Sequence, residues 1–361
     1  MTPRVTATVD LTAIRHNLGV VRTLAPGARV MAAVKADGYG HGAIPVSRTL
    51  AEAGVDALSV ACMDEAMRLR QARVHAPIAL LEGIISEEEA ALAVYERLQV
   101  VVHDHWQLDL LARLGPQAQV DIWFKLDSGM HRLGFPLGDV AQLQAALTRH
   151  PGWRLQGWIT HLASADEPDN PFTLEQIRAY ETALKGVEGA RSVANSAGLI
   201  AWPDARKDWV RPGLALYGAS PLEGRSAAAL GLRPAMTLES RLIAIRHFEA
   251  GATIGYGQTF RCPERMPVGV VAVGYADGVP RCLSTGTPVQ VGADQVPLVG
   301  RVSMDMITVD LRGCPSARVG DRVVLWGPSL PAETIARHAG TIAYELFCGL
   351  TQRVRFVYRG S

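Results

Sequence analysis

The chain has 361 residues, with 36 basic side chains against 35 acidic ones, a formal charge of +1 and five cysteines. The balanced charge does not favour nucleic-acid binding, and no apolar stretch approaches the roughly 18 residues that a membrane span requires. The amino-terminal residues are charged where a signal peptide has its apolar core, and the widely spaced cysteines lack a CxxC pair. We therefore expect a cytoplasmic protein without a disulfide framework, a membrane segment or a bound metal.

Short apolar runs that end in polar or glycine residues alternate with helical patterns in the first 220 residues. Eight such runs lie at residues 30–35, 57–61, 78–83, 98–104, 120–127, 155–163, 191–196 and 209–218. Near-continuous apolar runs are typical of buried parallel strands, and strands separated by helices form βαβ units. The pattern predicts a (β/α)₈ barrel over residues 1–231.

One of the connecting helices has a start signal in the sequence. Apolar side chains recur at helical spacing through residues 172–187, and Thr173 followed by Gln176 matches a capping box. We expect an amphipathic helix with Thr173 at its amino-terminal cap.

From about residue 232 the pattern changes to alternating, β-branched runs interrupted by glycine. This predicts a second, smaller and mostly β domain over residues 232–361. Its only clear helical segment is PAETIARHAG at residues 331–340.

Reactive groups of such barrels collect at the carboxyl ends of the strands, which share one mouth. The residues that this rule selects are Lys35, Asp127, His161, Asn195, Ser196 and Arg211. Each has an ordinary structural explanation when taken singly, and their common position is what indicates a functional site.

Two of the four lysines are candidates for chemistry. Lys35 ends an apolar run before the glycine-rich ADGYGHG, and a lysine desolvated at a barrel mouth is suited to form a Schiff base. Lys125 shares its parity with Trp123, which points it into the barrel. Because a buried ammonium is costly, we expect Lys125 to pair with a carboxylate, of which Asp127 is one candidate, or to be chemically modified. A structural ion pair and a catalytic role both fit this position.

An anion site is predicted around RPGLALYG, where Arg211 is followed by Gly213 and Leu214. Their N–H groups can hold an anion if the loop opens a helix, and Ser196 adds a hydroxyl. A lysine beside a phosphate cradle fits a pyridoxal phosphate enzyme and also a phosphosugar aldolase, and the residue pattern does not separate the two.

Eight sequence blocks resemble the alanine racemases, which are bacterial pyridoxal phosphate enzymes built from a barrel and a β domain. In chain order the blocks are AVKADGYGHG, KLDSGMHRLG, THLASAD, ANSAG, RPGLALYG, GYG, GYADG and GRVSMD. The resemblance covers nearly the whole chain and implies interconversion of L- and D-alanine.

The resemblance also implies residue roles. Lys35 carries the cofactor and is one catalytic base, and Tyr256 of the GYG block is the other. The further cofactor residues are Tyr39, His161, Ser196, Arg211, Gly213 and Leu214. Arg132 and Met304 hold the substrate carboxylate and its surroundings, while Tyr275 and Arg301 belong to the substrate entrance.

Inversion of a stereocentre needs a base on each face of the α-carbon, which agrees with a lysine and a tyrosine from different parts of the chain. A phenol with a pKa of about 10 becomes a base at neutral pH only near positive charge, for which Arg211, relayed by His161, is the candidate. The guanidinium of Arg211 keeps its proton and weakens the electron sink of the cofactor ring, which favours reversible proton transfer.

The resemblance further implies a homodimer with shared active sites, in which Tyr256 and Met304 reach the partner's Lys35. It also implies a carbamylated Lys125 that braces Arg132. One departure lies near the end of the chain, where many relatives have a tyrosine that contacts the phosphate and narrows the entrance. The nearest residue here is Gln352.

Three other functions fit parts of the pattern. A broader racemase acting on serine or basic amino acids differs only in the width of the entrance. A pyridoxal phosphate carrier without turnover generally lacks the β domain, and the cysteine and glycine-triplet signatures of a decarboxylase with this fold are not evident.

Overall fold

The computed structural model describes residues 4–360. The described chain consists of two compact units. The barrel unit comprises residues 15–216 and 221–225, and the β-rich unit comprises the described residues of 1–14, 217–220 and 226–361. The predicted division after residue 231 stays a prediction. The first strand of the described residues is β1 (Thr6–Asp10), which pairs within the β-rich unit, and helix α1 (Leu11–Leu24) follows it.

Parallel strands form the core of the barrel unit. They are β2 (Arg29–Ala33), β3 (Ala57–Val60), β4 (Ile78–Leu80), β5 (Gln99–Val102), β6 (Val120–Asp127), β7 (Phe135–Pro136), β8 (Trp153–Ile159), β9 (Ala190–Ser192) and β10 (Trp209–Val210). Eight of them close in the order β2-β3-β4-β5-β6-β8-β9-β10 and back to β2, while the short β7 pairs with the end of β6. The predicted eight-stranded barrel is confirmed.

The last predicted run, residues 209–218, is mostly not a strand. Only Trp209–Val210 pairs, because Pro212 lacks an N–H and Leu214–Tyr217 forms a 3₁₀ helix. The carboxyl end of β10 is therefore a tight turn, which brings backbone N–H groups to the barrel mouth.

Helices connect the strands of the barrel unit. They are α2 (Lys35–Tyr39), α3 (Ala43–Glu52), α4 (Met63–Gln71), α5 (Glu87–Tyr95), α6 (His105–Arg113), α7 (Val140–Arg149), α8 (Phe172–Ala183) and α9 (Ser196–Ala201). The predicted capping box in α8 is wrong. Thr173 is buried inside the first turn, and Gln176 accepts the N–H of Ala163 and donates to the carbonyl of His161. Gln176 thus braces the loop that follows β8.

The barrel interior is filled by apolar side chains, one or more from nearly every strand. They are Met31, Ala57, Ala79, Val101, Trp123, Ile159 and Trp209. The rings of Trp123 and Trp209 meet edge to face with centroids 5.5 Å apart, which is a favourable aromatic geometry. Because side chains alternate along a strand, Lys125 lies on the same side of β6 as Trp123, at the mouth.

The β-rich unit is built around the long strand β11 (Met236–Phe248). The other strands are β12 (Thr253–Ile254), β13 (Phe260–Arg261), β14 (Met266–Val271), β15 (Pro288–Val291), β16 (Asp294–Pro297), β17 (Ile307–Asp310), β18 (Arg322–Trp326) and β19 (Arg355–Arg359). Strand β11 pairs with β1, β14 and β18, and β19 adds in parallel to β1.

Among the described residues after 226, the β-rich unit forms two α-helices, α10 (Ala332–Ala339) and α11 (Ala343–Cys348). Only the first was predicted, because six residues are too few to show a helical period. Within residues 4–360, no helix combines the length and the apolarity needed to cross a bilayer.

Candidate active site

The carboxyl ends of the barrel strands bring the predicted residues of this unit to one mouth. Lys35 follows β2, Lys125 and Asp127 end β6, His161 follows β8, Ser196 follows β9 and Arg211 follows β10. A small pocket there is lined by Lys125, Leu126, Asp127, Met130, Arg132, Leu133, Thr160 and His161. The mouth therefore collects cationic side chains above an apolar barrel interior.

The backbone after Lys35 has an unusual conformation. Ala36, Asp37 and Tyr39 have φ values of 50°, 52° and 52°, and the glycines between and after them are also left-handed. Each non-glycine residue in this region costs about 1–2 kcal/mol. Backbone hydrogen bonds close the turn, and Oδ1 of Asp37 accepts the N–H of Ala43 at 2.9 Å. Strain of this kind gathers at functional sites.

A candidate phosphate cradle forms where three loops meet. The N–H groups of Gly213 and Ala215 donate to Oγ of Ser196 at 2.8 and 3.2 Å. A Cβ at Gly213 would lie 2.3 Å from the hydroxyl of Tyr39, so only glycine lets the two approach. The hydroxyl of Ser196 thus accepts two N–H groups of this loop, and the hydroxyl of Tyr39 lies beside the Cα of Gly213 in the same loop. The side chain of Asn195 caps α9 by accepting the N–H of Gly198, which is a structural role.

Arg211 is buried beneath the mouth and held in one orientation. It donates to Oγ of Ser192 at 2.7 Å and to the carbonyls of Thr160 and Val193. Burial lowers the pKa of Arg211 to about 10, so the guanidinium stays charged at neutral pH.

The imidazole of His161 lies beside Arg211, with Nδ1 3.5 Å from the guanidinium. Burial is the largest cause that lowers the pKa of His161 well below its usual range, followed by the charge of Arg211. His161 is therefore neutral at pH 7 and can accept a hydrogen bond from Arg211.

Asp127 does not pair with Lys125, and this candidate pairing is wrong. Its Oδ1 accepts the N–H groups of Gly129 and His131, both at 3.0 Å, and its Oδ2 lies 3.1 Å from Nδ1 of His131. Burial raises the pKa of Asp127, but these hydrogen bonds outweigh it and hold the pKa below the usual value. The carboxylate shapes the loop that leads to Arg132 and is not directed at the lysine.

Lys125 makes no ion pair within residues 4–360. Burial is the largest cause that lowers its pKa to about 8, and the charges of Arg211, Arg132 and Lys35 add to it. An amine with this pKa is about a tenth neutral at pH 7, far more than an exposed lysine. Lys125 thus loses its proton more readily than an ordinary lysine, because it is buried among other cations.

Of the predicted residues of the β-rich unit, Tyr256 and Tyr275 lie on two short 3₁₀ turns, and Arg301 and Met304 lie on a loop beside them. Tyr256 opens the 3₁₀ turn Tyr256–Gln258 and is 67% exposed. Gly257 in this turn has a φ of 70°, and a Cβ there would lie 3.4 Å from Nη1 of Arg301. Tyr256 and Arg301 therefore belong to one neighbourhood of the unit.

The second turn carries Tyr275 and lies against the loop of Met304. The N–H of Tyr275 donates to the carbonyl of Ser303, and that of Ala276 to the carbonyl of Met304, both at 3.0 Å. Tyr275 and Met304 are both exposed. Their side chains are available for contacts outside the unit.

The segment that departs from the predicted family is tied to the same loops. Arg353 lies 3.4 Å from Asp277 and 2.7 Å from Asp305, which follow Tyr275 and Met304. The neighbouring Gln352 is exposed. Sequence reasoning assigned no role to either acid, although both lie within recognised blocks, Asp277 in GYADG and Asp305 in GRVSMD.

Sequence reasoning also missed Glu65 in α4. Its Oε1 accepts the N–H of Ala36 at 2.7 Å, and its Oε2 accepts the N–H of Ala61 at 2.8 Å. The available signal was an acidic residue in the first turn of a helix that follows a strand. No cluster of three or more His, Cys, Asp or Glu side chains suited to a metal occurs in the described part of the chain.

Two family models match consecutive parts of the chain. A model of the alanine racemase N-terminal domain matches residues 9–221, and one of the alanine racemase C-terminal domain matches residues 235–358. The sequence is 53% identical over 350 residues to a protein named alanine racemase from Nitrosococcus oceani, covering 96% of this chain and 97% of the relative.

Solved structures agree with this similarity. The biosynthetic alanine racemase of Pseudomonas aeruginosa superposes with a TM-score of 0.96 at 44% identity, covering 99% of this chain and 100% of that one. An alanine racemase of Bartonella henselae, described with covalently bound pyridoxal phosphate, gives a TM-score of 0.91 at 27% identity, covering 99% of this chain and 100% of that one.

Proposed function

The chain belongs to the alanine racemase family, and from that premise we propose that it interconverts L- and D-alanine with pyridoxal phosphate as its cofactor. The observation that carries the proposal is the joint position, at one end of the barrel, of an amine and a cradle for an anion. Lys35 opens the strained segment whose fifth residue, Tyr39, contacts Gly213 through its hydroxyl.

The residues present fit the cofactor. Tyr39, Ser196 and the backbone of Gly213 and Leu214 would hold its phosphate, because hydroxyl and N–H groups converge there and a Cβ would fill the space. Arg211, with His161 beside it, would face the ring nitrogen, and Lys35 would hold the cofactor through its amine. When bound, pyridoxal phosphate supplies an electron sink that acidifies the α-hydrogen of an amino acid.

Two bases move that hydrogen in the proposed reaction. The amine of Lys35 takes or returns a proton at the α-carbon on one face, and the phenol oxygen of Tyr256 does so on the other. We propose that the chain forms a homodimer in which Tyr256 of one protomer serves the other's Lys35. The exposure of Tyr256, Tyr275 and Met304 supports this, since large apolar side chains on a surface mark contact sites.

Arg132 and Met304 are proposed to hold the substrate carboxylate and its surroundings, and Tyr275 and Arg301 to line the entrance. We further propose that Lys125 is carbamylated and braces Arg132. The lowered pKa of Lys125 and the three cations around it support this, because a carbamate replaces a fourth positive charge with a negative one.

The β-rich unit, which carries Tyr256, favours turnover over a cofactor carrier. The alternative is a racemase of broader specificity that also acts on serine or basic amino acids. It depends on the width of the entrance, where Gln352 is the residue nearest to the position of the usual tyrosine. All five cysteines are free thiols, which supports a reducing, cytoplasmic location.

The test follows the circular dichroism of an L-alanine solution after purified protein and cofactor are added. The signal should decay as D-alanine forms, and serine and lysine are the comparison substrates. Lys35→Ala is expected to remove the visible absorption band of the bound cofactor together with the activity. Lys185→Ala, at an exposed position, is the control. A visible band that persists in Lys35→Ala contradicts the assigned role, and an optically unchanged alanine solution with the wild-type protein contradicts the proposed function.

A further inference from the structure

We propose that Glu65 is a positioning residue that fixes the backbone immediately after Lys35, a role that rests on the proposed function of that lysine. The carboxylate is shared between two loops of the barrel mouth. One oxygen accepts the N–H of Ala36, and the other accepts the N–H of Ala61 directly after β3. Charged acceptors make short, strong hydrogen bonds to backbone donors, so this contact holds the first peptide after Lys35.

The held segment needs such support because its backbone is strained. Ala36, Asp37 and Tyr39 adopt left-handed φ values that side chains with a Cβ disfavour. The segment carries Lys35 at its start and Tyr39 near its end. A relaxation of Ala36 would therefore displace both the amine and the hydroxyl that contacts Gly213.

Helix α4 holds this segment at a second point as well. Arg68, one turn after Glu65, lies 3.6 Å from the carboxylate of Asp37. That pair is exposed and contributes little by itself. The bond to Ala36 is thus the stronger of these two polar links from α4 to the strained turn.

The same capping device recurs in the next barrel loops, which supplies a matched control. Glu89 accepts the N–H of Ile85 at 2.9 Å, and Gln107 accepts the N–H of His103 at the same distance. In each case the acceptor stands four residues after the donor, as Glu65 does after Ala61. Glu65 differs because its second oxygen reaches the loop that carries Lys35.

The experiment compares Glu65→Gln with Glu89→Gln in the full chain. A glutamine at 65 offers one acceptor oxygen and one NH₂ group, so either Ala36 or Ala61 loses its acceptor. A glutamine at 89 still accepts the N–H of Ile85. We measure pyridoxal phosphate affinity from the visible absorption band, amide hydrogen exchange of the peptide at residues 34–42, and kcat and KM for alanine.

Glu65→Gln is expected to weaken cofactor affinity roughly 10- to 100-fold, which is the worth of a hydrogen bond to a charged group. Exchange in residues 34–42 should accelerate, and kcat should fall while KM for alanine holds, because Glu65 does not line the pocket around Arg132. Glu89→Gln should match the wild type. Glu65→Asp, which keeps the charge but is shorter by one methylene, should lie between the two and serves as the test variant if Glu65→Gln does not fold.

Equal cofactor affinity in the Glu65 and Glu89 variants overturns the proposal, as does unchanged exchange in residues 34–42. Amide hydrogen exchange measured on protein without cofactor tests the role of Glu65 separately from the proposed function. If the wild type shows no visible band with the cofactor, the proposed function fails, whereas the exchange data still decide whether Glu65 holds the segment.

Discussion

Replacement of Lys125 by methionine is expected to stabilise the protein at neutral pH in buffer free of carbon dioxide. Methionine keeps the length and apolar stem of the lysine and removes the ammonium. The ammonium lies among Arg211, Arg132 and Lys35 and makes no ion pair within residues 4–360. Its removal therefore relieves repulsion and desolvation without leaving a carboxylate unpaired.

The size of the effect comes from the change in proton affinity on folding. The pKa of Lys125 is lowered from 10.5 to about 8, chiefly by burial. Since a tenfold change in proton affinity is worth about 1.4 kcal/mol, the charged amine costs about 3 kcal/mol as an upper bound at the solvated mouth.

This cost depends on pH in a defined direction. The folded-state pKa lies below the unfolded one, so the penalty is complete below pH 8 and fades as the pH rises toward 10.5. The advantage of the variant should therefore shrink to about 1 kcal/mol at pH 10.

Urea unfolding of the wild type, Lys125→Met and Lys185→Met, at pH 7 and pH 10, measures these differences. A Lys125→Met protein that is less stable than the wild type at pH 7 without carbon dioxide refutes the reasoning. Bicarbonate should then stabilise the wild type and leave Lys125→Met unchanged, because only the lysine can form a carbamate. A wild type that does not respond to bicarbonate excludes the modification.

Two further substitutions test the remaining assignments. Tyr256→Phe should slow removal of the α-hydrogen from one enantiomer more than from the other, measured by hydrogen exchange with solvent and compared with Tyr275→Phe; equal and small effects remove Tyr256 from the mechanism. Gly213→Ala should weaken cofactor binding about tenfold or more, because its Cβ would lie 2.3 Å from the Tyr39 hydroxyl and overpacking costs about 1–3 kcal/mol. Gly19→Ala is its control, since nothing lies within 4 Å of that position in α1, and an unchanged cofactor affinity in Gly213→Ala contradicts the cradle.

The barrel was predictable because buried parallel strands appear in the sequence as apolar runs separated by helical patterns. Strands β3, β4 and β5 are buried throughout and most of the others are largely buried, so the runs are mainly apolar, and eight such runs leave few other architectures. The strand predicted at residues 209–218 was too long, because the apolar sequence of a 3₁₀ helix cannot be told from that of a continued strand. The positions after each strand followed from the barrel itself, which is why Lys35 and Arg211 could be named.

The hydrogen-bond partners of individual polar side chains could not be predicted from the sequence. Gln176 fitted a capping box, yet it bonds to the loop after β8, which precedes it by more than ten residues. Asp127 fitted an ion pair, yet two N–H groups two and four residues onward occupy one of its oxygens. Glu65 bridges to a loop 29 residues away. Such choices follow from the folded geometry and leave no period in the sequence.

The excess of positive charge at the mouth connects these observations. The pKa of His161 is lowered by four nearby cations, Lys35, Lys125, Arg132 and Arg211. The acid that lines the described pocket, Asp127, is hydrogen-bonded to residues of its own loop. Cations gathered in this way favour anions, and the proposed ligands supply them as a phosphate, a substrate carboxylate and a carbamate. In the proposed modification, the amine of Lys125 exchanges its positive charge for the negative charge of a carbamate. The guanidinium groups of Arg132 and Arg211 supply positive charge with which the proposed anions would pair.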